Sequence, residues 1–127
     1  MKTVPGYEIL ADILQDALDQ AQSGKGKDRH AKDHEPFDEQ QIMEIARRQG
    51  NVSGQAFQAH KKLYEAEGMV ARGEYARARH EILGAIVYAS AMVLVIDENA
   101  AKPGKVRNEL DNVFWPNVAK KYEVGAE

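Results

Sequence analysis

Residues 82–96 read ILGAIVYASAMVLVI, fifteen positions without a charge. A helix on a protein surface shows one polar face. This stretch is apolar on nearly every side, so it belongs in a core or in a membrane. It falls short of the ~20 residues that span a bilayer, and Arg79-His80-Glu81 and Asp97-Glu98 close its ends. We read it as the buried half of a central helix running from about residue 74 to about residue 98, amphipathic in its first half. Replacing Ile86 or Val93 by Asp is then expected to prevent folding, because an unpaired buried charge is costly. Val93-Leu94-Val95-Ile96 has strand composition but continues a longer helical pattern, and no window reads as a strand.

Upstream, residues 54–72 carry Phe57, Tyr64 and Ala71 at heptad spacing, and likewise Ala56, Leu63 and Val70. This predicts a third helix with a wide buried face, N-capped by Ser53 and stopped at Gly73. Before it, Pro36 suits the first turn of a second helix over 37–49, with Ile42, Met43, Ile45 and Ala46 on its apolar side and Gly50-Asn51 as its stop. A first helix over 6–21 repeats Leu10, Ile13, Leu14, Ala17, Leu18 and Ala21, a stripe expected to dock on the central helix. Downstream, Pro103 starts a last helix with Val106, Leu110, Val113, Phe114 and Val118, kinked by Pro116. The expectation is an all-α, single-domain bundle of about five helices, with helices one, three and five packed on the central one.

The totals fit one soluble domain: 127 residues, 43% hydrophobic, 29% charged, formal net charge −3. That charge argues against general nucleic-acid binding or attraction to anionic membranes. The absence of cysteine excludes disulfides, thiol catalysis and thiolate metal sites. No apolar run at the N-terminus reads as a signal peptide, so the expected location is the cytoplasm. Asn51-Val52-Ser53 matches a glycosylation triplet, by chance in that compartment. The apolar supply of helices three to five exceeds the needs of one small core, which predicts a homodimer.

Residues 24–35, GKGKDRHAKDHE, have no apolar periodicity and read as a flexible charged loop. Lys25, Lys27 and Arg29, with amides freed by Gly24 and Gly26, could grip a phosphate. The order of a P-loop is absent. His30 and His34, four apart, lack a third ligand and the glutamate of HExxH, so we assign no metal there. On the helices, Gln40, Gln55, His60, Lys61, Lys62 and Glu65, then Arg79, His80 and Glu81, form a polar set. Its bland reading is a solvated face with local ion pairs. The hydroxyls of Tyr88 and Ser90, inside the apolar helix, are expected to bond to the backbone or to neighbours. Phe114-Trp115 reads as core or dimer contact.

GKGKDRH at 24–30, PFDEQ at 36–40, GQAFQAHKKLYEAE at 54–67 and HEILGAIVY at 80–88 together resemble a group of small proteins carried by tailed phages and prophages. The resemblance covers residues 24 to about 96 and brings no assigned activity. It marks Lys25, Lys27, Arg29, His30, Phe37, Gln40, Gln55, Lys62, Glu65 and Glu81 as pattern positions. In fainter outline, KKLYEAE followed by EILGAIVY is similar to the paired helices of MazG-type all-α nucleotide pyrophosphatases, which hold magnesium through ExxE and ExxD motifs. Here the first motif reads Glu65-Ala66-Glu67-Gly68 and the second Ile82-Leu83-Gly84-Ala85, so both are degenerate.

Three functions follow as expectations. The first is a phage accessory protein that binds a phosphate-bearing small ligand, a nucleotide or nucleotide-derived signal, and sequesters it or inhibits a host process. Lys25, Lys27 and Arg29 would contact phosphate, His30, Gln40 and Gln55 the remainder, while Lys62 and Glu65 would brace the pocket. The second is a direct protein-binding inhibitor of a host enzyme. The third, implied by the fainter likeness, is a Mg²⁺-dependent nucleotide pyrophosphohydrolase using Glu65, Glu81 and Glu44. No cofactor is expected outside that third case.

Overall fold

The structure, a computed structural model, describes residues 2–23 and 36–101. Among these the protein is all helical: α1 (Glu8–Ser23), a 3₁₀ turn (Phe37–Glu39), α2 (Gln41–Gln49), α3 (Ser53–Ala71) and α4 (Tyr75–Ala101). The charged stretch 24–35 and the helix expected from Pro103 lie outside the described residues.

α3 and α4 form an antiparallel hairpin and make the most extensive helix pair. Its turn follows from Gly73, whose φ of 77° is a left-handed conformation open to glycine. Gly73 N–H donates to the Val70 carbonyl (3.0 Å) and Glu74 N–H to the Met69 carbonyl (2.8 Å), the paired bonds of a Schellman cap. α2 also stops at a left-handed glycine, Gly50 (φ 71°), through the single bond from Gly50 N–H to the Ala46 carbonyl (2.8 Å) of an αL cap. At the other end of α3 the expectation fails. Ser53 is the first helical residue and not the cap; Val52 precedes it without a side-chain cap bond. The Asn51 carboxamide oxygen accepts from Ser53 N–H (2.9 Å) and does the local work that the Ser53 hydroxyl was expected to do.

The second helix is also shorter than its apolar pattern suggests. Gln40, extended at φ −67° and ψ 155°, separates the 3₁₀ turn from α2. In a continuous helix the Asp38 carbonyl would accept from a backbone N–H one turn on. Here it accepts from Arg47 Nη2 at 2.7 Å. Arg47 also grips the Glu98 carboxylate through Nε (3.0 Å) and Nη2 (2.9 Å), tying the turn, α2 and the C-terminal part of α4 together. The bond to Glu98 holds the guanidinium pKa above its ordinary value.

Two small cores hold the helices. Met43 and Ala46 of α2 meet Ala91 and Val95 of α4, flanked by Ile42, Val52 and Leu94. Ala66 and Met69 of α3 meet Ala78 of α4 beside the turn. α1 docks on α4 through buried Ala17, with Asp16 paired to Arg79 and Gln20 Nε2 donating to the His80 carbonyl (3.0 Å).

The central helix is where expected, but it is not buried all round. Leu83, Ala85, Tyr88, Ala91 and Val95 face inward, whereas Val93 (55% exposed) and Ile96 (54%) face outward. Asp at position 93 would meet solvent in this fold, so the expectation that it blocks folding of the protomer is withdrawn. The wide apolar face of α3 is likewise open: Phe57, Leu63, Tyr64 and Val70 are all exposed, and Gln55, Ala66 and Met69 are the buried positions. The reason is side-chain size. Beside the turn two alanines, Ala66 and Ala78, with Met69 make the contact, and they bring the helices close and leave the other large residues outside. By length and composition α4, with an 18-residue window of mean hydropathy 1.6, would also pass as a membrane span.

Candidate functional site

The polar set converges at one point on the hairpin. Lys62, from the middle of α3, lies across α4 where Gly84 leaves room: a Cβ on Gly84 would come within 3.1 Å of Lys62 Cδ and 3.2 Å of Cε. Lys62 Nζ stands 3.4 Å from Glu81 Oε2 and 5.8 Å from the centroid of the Tyr88 ring. Both charged side chains are about four-fifths buried. The arrangement is a lysine held by its stem, with the ammonium between a carboxylate and an aromatic face. An ammonium has three N–H donors. Glu81 engages one of them, at a length that marks a weak bond.

The remaining expected residues are dispersed. Gln55 is buried (1% exposed) between α2 and α3, where Nε2 donates to the Ile42 carbonyl at 3.4 Å. That is a structural position, not one that faces a ligand. Gln40 contributes its backbone, its carbonyl accepting from Met43 N–H (2.9 Å) and Glu44 N–H (3.2 Å) to start α2. Glu65 is exposed and pairs with Lys61 one turn away at 3.9 Å, so it does not brace Lys62. Glu44 is exposed on α2. Glu44, Glu65 and Glu81 are not gathered, and among the described residues no group of three His, Cys, Asp or Glu is placed to hold a metal. Lys25, Lys27, Arg29 and His30 lie outside the described residues. The ends of their stretch are fixed, however. α1 is tied to the His80 level of α4 one turn before Ser23, and the turn after Pro36 is tied through Arg47 to Glu98. These anchor points are eighteen residues apart along α4, about 27 Å.

Beside the Lys62 seat, α3 and α4 border an open groove of about 710 Å³ lined by His60, Leu63, Tyr64, Glu67, Val70 and Ile82. Its walls are mainly apolar.

Sequence reasoning singled out Lys62 and Glu81 without pairing them, and it missed the roles of Gly84 and Arg47. Gly84 did carry a signal. Glycine inside an apolar helix costs about 1 kcal/mol relative to alanine, so its presence points to a close approach. The Ser90 hydroxyl donates to the Ile86 carbonyl at 2.9 Å, as expected for a hydroxyl inside an apolar helix.

No family model, no curated protein and no solved structure matches the chain.

Proposed function

We propose that the protein acts by binding, as a phage or prophage accessory protein in the host cytoplasm that takes a phosphate-bearing small ligand beside Lys62. The observation that carries this reading is the Lys62 seat: a lysine with a largely buried side chain, prepositioned by Gly84, with one weak hydrogen-bonding partner among the described residues and an aromatic ring beside it. A phosphate oxygen bonds to such an ammonium with charge assistance. Lys25, Lys27 and Arg29 lie outside the described residues and enter this reading from the sequence alone. They supply the further charge that a polyphosphate or cyclic oligonucleotide requires. The consequence for the host is sequestration of the ligand or inhibition of a process that depends on it.

Thermal shift across nucleotides, dinucleotides, cyclic oligonucleotides and inorganic phosphate tests this. A ligand at a hundredfold its Kd adds about 2.7 kcal/mol to stability. The shift should be lost in Lys62→Ala and in the triple variant K25A/K27A/R29A. No shift with any compound, or equal shifts in those variants, refutes the reading. The apolar groove favours a second reading, direct inhibition of a host protein, for which a tagged protein should retain one host polypeptide in stoichiometric amount.

A further inference from the structure

The outward side of α4 carries Ile82, Ile86, Ala89, Val93 and Ile96, spaced alternately four and three apart. That is the spacing of a helix seam made to meet another helix. Ile82 (39%), Val93 (55%) and Ile96 (54%) are exposed, and Phe57 (65%), Leu63 (44%) and Tyr64 (78%) extend the apolar surface along α3. Taken at about 150–250 Å² for each full residue area, these six expose roughly 600 Å² of mainly apolar surface, against about 800 Å² per partner in a stable interface.

We propose that a second copy of this chain covers this surface, its α3–α4 hairpin joining the first in an antiparallel four-helix bundle with the two α4 helices crossing at Ala89. The seam is self-complementary about that residue. An antiparallel crossing there sets Ile82 of one copy beside Ile96 of the other and Ile86 beside Val93, with the small alanine at the closest approach. The charges agree. Arg79 and Asp97 are eighteen residues apart, about five turns, so they project from the same side of α4. The same crossing brings Arg79 of each copy to Asp97 of the other. Among the described residues Arg79 pairs with Asp16 and Asp97 has no ion pair. This inference does not depend on the ligand reading, but it does remove the groove from the surface open to a host protein.

The full chain tests it by light scattering at micromolar concentration, where twice 14.2 kDa is expected. Val93→Asp should give a monomer with unchanged helical circular dichroism. Should that variant fail to fold, Asp97→Arg should weaken the dimer at least tenfold and the double variant R79E/D97R should restore it. Because the chain has no cysteine, single substitutions can also map the crossing. Ala89→Cys should cross-link to itself with a short bismaleimide, whereas I82C and I96C should cross-link to each other in mixed dimers and not to themselves. A monomeric wild type, a V93D dimer, self-linking at position 82, a seam cysteine shielded within a monomer, or recovery only in detergent would each overturn the proposal.

Discussion

Gly84→Ala isolates the contact on which the Lys62 seat depends. The added methyl would lie 3.1 Å from Lys62 Cδ, 3.2 Å from Cε and 3.3 Å from Nζ, so the lysine must give way by a few tenths of an ångström or leave. Two effects oppose each other. Alanine in the middle of α4 gains about 0.8–1.0 kcal/mol of helix propensity over glycine. Displacing Lys62 forfeits its contacts to Glu81 and Tyr88, together about 1 kcal/mol for a largely buried but long ion pair and a distant cation–π contact. The net change in stability should therefore lie within about 0.5 kcal/mol of zero, which alone decides little. The decisive quantity is the coupling. In a Lys62→Ala background nothing remains to displace, and the same substitution should stabilise by the full propensity term, about 1 kcal/mol. Urea unfolding of the four proteins, followed by circular dichroism, measures this double-mutant cycle. Coupling below about 0.3 kcal/mol, the usual limit of additivity, would show that Lys62 does not lie on Gly84.

Other substitutions separate the remaining contacts. Met43→Ala removes a side chain with 0% exposure from the α2–α4 core and should cost about 2–5 kcal/mol in urea unfolding. Ala78→Leu should cost about 1–3 kcal/mol by overpacking the alanine contact beside the turn, visible as a lower Tm. Gln55→Met should cost under about 1.5 kcal/mol, because it exchanges a buried side chain with one long bond for an apolar one of similar volume. Gln55→Glu buries a carboxylate and should cost several kcal/mol at pH 7. Burial raises the folded-state pKa of that carboxyl, so the deficit relative to wild type should shrink as the pH falls towards about 4, where the unfolded-state carboxyl also binds its proton. Arg47→Ala should cost about 1 kcal/mol. Much of that loss should survive high salt, because the bond to the Asp38 carbonyl is screened less than the exposed pair with Glu98.

The sequence was legible where one residue settles a local question. Gly50 and Gly73 ended helices because the left-handed conformation suits glycine, and the uncharged run 82–96 had to be helical and central. It was not legible where the answer depends on which arc of a helix meets which neighbour. Gln55, Lys62 and Glu65 sit roughly on one side of α3 by periodicity, yet they range from buried through largely buried to exposed. Successive steps of seven and three residues turn them gradually away from α4. Heptad spacing placed α3 on the central helix correctly but buried the wrong arc: Phe57, Leu63, Tyr64 and Val70 are exposed, because Ala66 and Met69 meet Ala78 of α4 instead. Gln40 broke the second helix through a competitor nine residues beyond Asp38, the Arg47 guanidinium, which no local pattern reveals.

The central claim, binding of a phosphate-bearing ligand beside Lys62, is tested most directly by what the protein retains on purification. Tagged wild-type protein, heat-denatured and filtered, should release an ultraviolet-absorbing, phosphate-containing small molecule in stoichiometric amount by mass spectrometry. Protein carrying K25A/K27A/R29A or Lys62→Ala should release little of it. Wild-type protein that releases no such molecule, or variants that release as much as wild type, would contradict the account.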